Sequence, residues 1–221
     1  MKKPLTLILL LFSTHVYAEK APWVGNDLKG LPCNGEGQGY GPWDYTKLRE
    51  RPKIPIVEHH HFTPQVENHI KGQESYITGD LDYTLRAVPN HHKALLSMIR
   101  YQSKLNKKSL HDPRPLLTSP ECYLQRAIHF SPMDSGSISL YAYYLKEIGQ
   151  LEKAADYYQK ALDISPDSAK IQYSYSLLLI NLKQYDKALE YAQKVYAHGK
   201  PPEGLKNKLI KLGVWKIPVH K

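Results

Sequence analysis

Glu58-His59-His60-His61, followed by Glu67 and His69, gathers donor side chains into one short stretch, and His91-His92 adds a second imidazole pair. Imidazoles and carboxylates are the ordinary ligands of transition metals. Zinc ligands, however, come at set spacings from pre-formed elements with partners behind them, and three adjacent loop histidines do not face one ion together. In a helix that starts near Pro64, with Thr63 as its cap, Glu67 and His69 lie on different faces. Ordinary polar or capping histidines are the main reading, and Glu58, His59, His61 and His69 remain as candidate metal ligands.

The other constellations point away from catalysis. GEGQGYG at 35–41 alternates glycine, but it fits GxGxxG in no register, follows no apolar strand and precedes no GKS or GKT, so it reads as turn-rich coil. No serine sits in a GxSxG elbow. Asp80 and Asp82 fall in GDLDY at an expected helix start, where acids favour the N-terminal dipole. Cys33 and Cys122 form neither CxxC nor CxxCH, which removes thioredoxin-like and covalent-haem chemistry. No catalytic residue and no cofactor is assigned.

The first eighteen residues, MKKPLTLILLLFSTHVYA, set the compartment. Two lysines, an apolar run and Val16-x-Ala18 form a secretory signal of bacterial type. That run is far short of the ~20 residues a membrane span needs. No cysteine follows it closely, so a lipid anchor is not expected. The mature chain is expected in the periplasm, where two cysteines are expected to pair; the alternative is two buried thiols.

The chain carries 30 basic and 21 acidic side chains, a formal +9. This balance favours acidic partners or anionic envelope surfaces. From Lys194 to the end there are seven lysines and only Glu203 as an acid. That tail is either a solvated face or a weak contact for anionic surfaces. Nucleic acid is not expected as a partner, because an exported chain would seldom meet it and the aromatics follow a packing pattern.

That pattern is a repeat. ADYYQKALDISPDS at 155–168 echoes ECYLQRAIHFSPMD at 121–134, a shift of 34 residues. At this shift Tyr123, Tyr157 and Tyr191 coincide, as do Tyr141 with Tyr175, Leu145 with Leu179, and Ala154 with Ala188. A fixed period of this size means stacked helical hairpins. Small residues at 142, 154, 161, 176 and 188 allow two helices of a hairpin to approach, and Tyr and Leu fill the gaps between hairpins. One hairpin cannot bury its own apolar face, so about three are needed.

The slots Ile138, Tyr141-Ala142, Leu145, Ala154-x3-Tyr158 and Pro166 resemble the tetratricopeptide repeat, and a second copy follows with Leu179 and Ala188. Together with Gly41-Pro42-Trp43-Asp44-Tyr45, Val57-Glu58 and His61-Phe62-Thr63-Pro64, the chain is similar to proteobacterial envelope proteins that carry such repeats. The resemblance implies an all-α helical hairpin solenoid of about three hairpins with a capping helix. It implies no activity.

The expected organisation is a signal at 1–18 and a Gly/Pro/aromatic-rich coil at 19–62. Degenerate helical repeats follow at 63–134, with an inserted loop at 106–119. Repeats occupy 135–168 and 169–201, and a capping helix with a basic tail occupies 202–221. The coil holds Trp23, Tyr40, Trp43 and Tyr45, aromatics expected to wrap onto the helices under the Cys33–Cys122 bridge, disorder being the alternative.

In such solenoids the first helix of each hairpin lines a concave groove, here through Ser139, Tyr143 and Lys146, then Lys170, Tyr173 and Leu177. Tyrosine beside lysine suits an extended peptide of acidic or apolar character, with structural packing of the tyrosines as the plainer reading. The Lys-then-Asn pair of a carboxylate clamp is missing at these slots. The function expected is an exported adaptor that binds a polypeptide in the envelope; the alternative is a metal-handling accessory protein using His59 to His69.

Overall fold

The computed structural model describes residues 21–197, 199 and 201–215. The signal reading of Met1–Ala18 and the last lysines of the tail lie outside them. Among the described residues there is no strand, only one bridge, Asn26 to Pro32, and the rest is helix and coil.

Among the described residues ten α-helices follow one another: α1 (Ile54–His61), α2 (Pro64–Glu67), α3 (Ile77–Ala87), α4 (His92–Asn106), α5 (Pro120–Phe130), α6 (Ser135–Glu147), α7 (Leu151–Ile164), α8 (Ala169–Asn181), α9 (Tyr185–Ala197) and α10 (Gly204–Lys211). The pairs α4/α5, α6/α7 and α8/α9 are hairpins, α1 to α3 precede them, and α10 closes the stack. The fold is an all-α solenoid of tetratricopeptide type with a coil packed on it.

Two local rules make each hairpin. The first helices α4, α6, α8 and α10 all end on a left-handed residue: Lys108, Gly149, Lys183 and Gly213. In each the next amide reaches back five residues, as from Gln150 to Leu145 and from Gln184 to Leu179. That is a Schellman turn, which satisfies carbonyls the helix leaves open. The helices α3, α5 and α7 end instead at a non-helical residue before proline, Val88, Ser131 and Ser165, because the proline ring disfavours helical geometry in the residue ahead of it.

Stacking is carried by the repeated tyrosines. Tyr141 meets Tyr157 at 4.6 Å between ring centroids, and one period on Tyr175 meets Tyr191 at 5.1 Å. Ala142, Ala154, Ala161 and Ala188 are fully buried, so backbones close up around them. At the small slot on α8, the Ser176 hydroxyl donates to the Ala188 carbonyl across that close approach at 2.7 Å.

The stretch up to residue 62 is not coil throughout. A single 3-10 turn at Arg51–Lys53 runs into α1. Pro52 and Pro55 do not prevent this because each stands in a first turn, where the missing N–H has no partner to lose. Asp82 also departs from a capping role: it sits in the second turn of α3, buried, accepting from Arg86 Nε at 2.7 Å and from the Tyr123 hydroxyl at 2.6 Å.

Lys183 takes φ +59° at the slot where the preceding repeat has Gly149 at φ +83°. A side chain in that region costs free energy that glycine avoids. Lys183→Gly is expected to stabilise the protein by about 0.5–1 kcal/mol, read as a higher urea midpoint; an unchanged or lower midpoint would contradict the account of the turn.

Candidate functional site

Successive first helices touch one another, α4 on α6, α6 on α8 and α8 on α10, so the side they line is the tighter, concave one. Ser139, Tyr143, Lys146, Lys170, Tyr173 and Leu177 all stand on α6 and α8. Ser139 and Lys170 share a recess of ≈ 350 Å³ with Thr46, His92 and Asp134. Tyr143 is half-buried, with Lys146 Nζ 4.8 Å from its ring, and Lys146 pairs with Glu147 at 2.8 Å. Burial raises the Tyr143 hydroxyl pKa, with Glu147 adding to the rise and Lys146 and Arg100 opposing it. Tyr173 lies against the start of α10: a Cβ on Gly204 would sit 3.5 Å from its hydroxyl. Leu177 packs on the core from the same face.

The helix α4 belongs to this surface and its residues escape the 34-residue register. The inserted loop lengthens the step to 43, so that Leu95, Met98 and Ile99 occupy the buried slots of Ile138, Tyr141 and Ala142. In this register Lys93 corresponds to Gly136 and Lys170, and Arg100 to Tyr143 and Leu177. The Leu95, Met98, Ile99 spacing was the sequence signal that could have placed them.

The coil is anchored mainly on α5 and α3, with Tyr45 and Thr46 reaching His92 and the rim of the recess. Its first part binds α5. The Cys33–Cys122 disulfide closes with Cα atoms 5.3 Å apart, and Trp23 packs edge-on to Tyr123 at 5.4 Å and under the Arg126 guanidinium at 4.7 Å. Arg126 Nε donates to the Ala21 carbonyl at 2.6 Å. Glu121 accepts from the Leu28 amide with one oxygen and from the Tyr144 hydroxyl with the other. Its second part binds the end of α3, where the Trp43 amide donates to the Ala87 carbonyl at 2.8 Å. Gly41 passes so close to that carbonyl that no Cβ fits. Thr46 alone among these coil residues reaches the recess of Ser139 and Lys170.

The candidate metal ligands are not brought together. Glu58 accepts from His91 Nε2 at 3.0 Å, a tautomer fixed because His91 Nδ1 accepts from the Ala94 amide. This hydrogen bond lowers the Glu58 pKa. His61 reaches Asp80 at 2.9 Å and stacks on Tyr83, while His60 reaches Glu74 and His59 is exposed. His69 turns inward to the Ser97 carbonyl, and burial holds its pKa down to about 4. Among the described residues, no three His, Cys, Asp or Glu side chains converge as a metal site.

One buried polar junction joins coil, α4 and α6. Asn90, fully buried, donates to Asp44 at 2.8 Å and to Asp134 at 3.1 Å, and its carbonyl oxygen accepts from the Tyr45 amide. Asp134 also accepts from His92, the Gly136 amide and Ser137. Asp44 accepts from Thr46 and Ser131. Burial alone would raise the Asp44 pKa, but its hydrogen bonds from Thr46, Asn90 and Ser131 outweigh it and hold the group at about 2.

Residues 147–200 match the family model for the tetratricopeptide repeat. No curated protein matches the chain. Among solved structures, MamA (residue 41 to the end) from Desulfovibrio magneticus RS-1 aligns at 21% identity over 55% of this chain and 63% of that one, TM-score 0.40. Another MamA crystal structure aligns at 14% identity over 76% and 79%, TM-score 0.41. The chain thus spans less than two thirds of the first of these.

The junction makes stability depend on pH. Asp44 has a folded-state pKa depressed below the ordinary ~3.9, so its contribution is full above that value and disappears as pH falls through about 2. Between pH 5 and pH 2 the unfolding free energy is expected to fall on the order of 2 kcal/mol less in Asp44→Asn than in the native chain. Urea titrations at both pH values measure this, and parallel losses in the two proteins would refute it.

Proposed function

We propose that this tetratricopeptide-repeat chain is an exported adaptor that binds a polypeptide partner along the groove of its first helices, and that it is a binding scaffold and not an enzyme. The observation that carries this reading is the division of faces. The coil is fastened by a disulfide, by Trp23 and by Arg126 to α5, and only Thr46 of it reaches the recess beside Lys170, while Tyr143 and Tyr173 stand half-buried and Lys170 exposed on the first helices. An extended segment laid there meets half-buried aromatic rings flanked by cations, side chains that give rigid contact area at small entropic cost.

Export fits the pairing of the two cysteines, because such bonds persist in oxidising compartments. It also fits the apolar segment read at residues 1–18. The envelope is then where the partner resides, and the lysine-rich end beyond Lys194 adds a weak contact to anionic surfaces.

A photoreactive phenylalanine analogue placed at Tyr143 or Tyr173 in cells is expected to crosslink one dominant protein. The same group at Asp163, exposed on α7, is the reference. A partner captured equally from Asp163, or no dominant adduct from either groove position, would end the groove reading.

A further inference from the structure

The protein's charge is divided between the two faces of the stack. The first helices present Lys93, Arg100, Lys146 and Lys170 at groove positions of the repeat register, and α10 adds the exposed Lys208 and Lys211, against a single acid on these helices, Glu147. Of the remaining bases on these helices, Lys104 turns toward the Asn68 carbonyl, and Lys206 covers the Tyr196 and Trp215 rings. The second helices α7 and α9, by contrast, carry five acids and four lysines.

Lys146 is paired with Glu147, whereas Lys93, Arg100, Lys170, Lys208 and Lys211 are exposed and in no ion pair among the described residues. The apolar groups of the groove, Tyr143, Tyr173 and Leu177, are half-buried and packed on the core. What projects furthest into solvent is therefore positive charge of one sign. Cations gathered on one concave face repel one another, and a ligand bearing carboxylates removes that repulsion as it docks.

Resting on the groove reading above, we propose that the occupant is an acidic polypeptide segment in extended conformation, crossing α4, α6, α8 and α10. Neighbouring helix axes lie about 9 Å apart, so the three steps from α4 to α10 span about 27 Å, or about eight residues of extended chain. Alternating acidic and aromatic residues in such a segment would match the alternation of Lys and Arg with Tyr on the groove. Charge complementarity sets specificity and association rate, and makes both dependent on salt.

The test is fluorescence anisotropy on the full oxidised chain with labelled decapeptides of alternating Glu and Tyr, and of Gln and Tyr. The Glu peptide is expected to bind at least 10-fold tighter, and to weaken at least 10-fold between 0.1 and 1 M NaCl, as the screening length drops from about 10 Å to about 3 Å. The triple variant K93E/R100E/K170E, all exposed positions, is expected to lose at least 10-fold. K153E/K160E on α7 is expected to stay within 2-fold, with circular dichroism and Tm confirming that both variants are folded. Equal affinity for the two peptides overturns the acidic occupant while leaving the groove itself to the crosslinking from Tyr143 and Tyr173. No binding of the Glu peptide at 0.5 mM, or no effect of the triple variant, also overturns it. So does sedimentation with phosphatidylglycerol vesicles that depends on the same three residues while the peptide is ignored, since the face would then serve a lipid surface.

Discussion

An amphipathic helical hairpin has nowhere to hide its apolar side except against another hairpin, and every other feature of this molecule follows from how that need is met. Tyr141 on Tyr157, and Tyr175 on Tyr191, are the same contact one period apart, with rings filling space that buried alanines open by letting backbones approach. A fully buried side chain of Leu or Tyr size contributes about 1.5–3 kcal/mol by leaving water. Those contributions add along the stack, so an open end is costly. At one end α10 covers α8 and α9 with Leu205 and Leu209, both buried. The other end is closed differently.

That other end is closed by the coil with α1 to α3, and its attachment is covalent and polar as well as apolar. A bridge across 89 residues removes conformations from the unfolded chain worth about 4–5 kcal/mol in the chain-entropy account. The Asp44–Asn90–Asp134 junction adds specificity of position: two buried carboxylates 90 residues apart in sequence tolerate each other because one amide donates to both, and hydroxyls and His92 supply the rest. Removing the amide would leave two buried acceptors facing each other, the arrangement burial penalises most.

The repeat was legible because its rules are local. Proline after the second helix and small residues at the close approaches are each visible within a few positions, so the helical solenoid could be read directly, whereas the left-handed turns after the first helices could not, since two of them fall on Lys108 and Lys183. α1 was hidden because Pro52 and Pro55 look like breakers until the helix start is known to lie at them. The histidines were ambiguous because an imidazole's role depends on a partner distant in sequence: Glu58 belongs to His91, His61 to Asp80, and His92 to Asp134. The same limit hid Arg100, whose place on the groove appears only when the inserted loop is subtracted from the register.

Fastening the coil to α3 and α5 has a consequence for the groove. In a solenoid, curvature is set by how neighbouring hairpins lean, and each lean is a soft variable unless something crosses the joint. Here Glu121 ties the Leu28 amide to Tyr144, Arg126 ties Ala21 to the Leu85 carbonyl, and Asn90 ties Asp44 to Asp134, so the joints α3/α4/α5 and α5/α6 are each spanned from outside by the coil. The half of the groove formed by α4 and α6 is therefore held in shape before anything enters it. The half formed by α8 and α10 has no such strap among the described residues and keeps the compliance of an ordinary repeat. A ligand lying across all four helices would meet a pre-organised surface first and shape the second half around itself, paying conformational entropy on one side only.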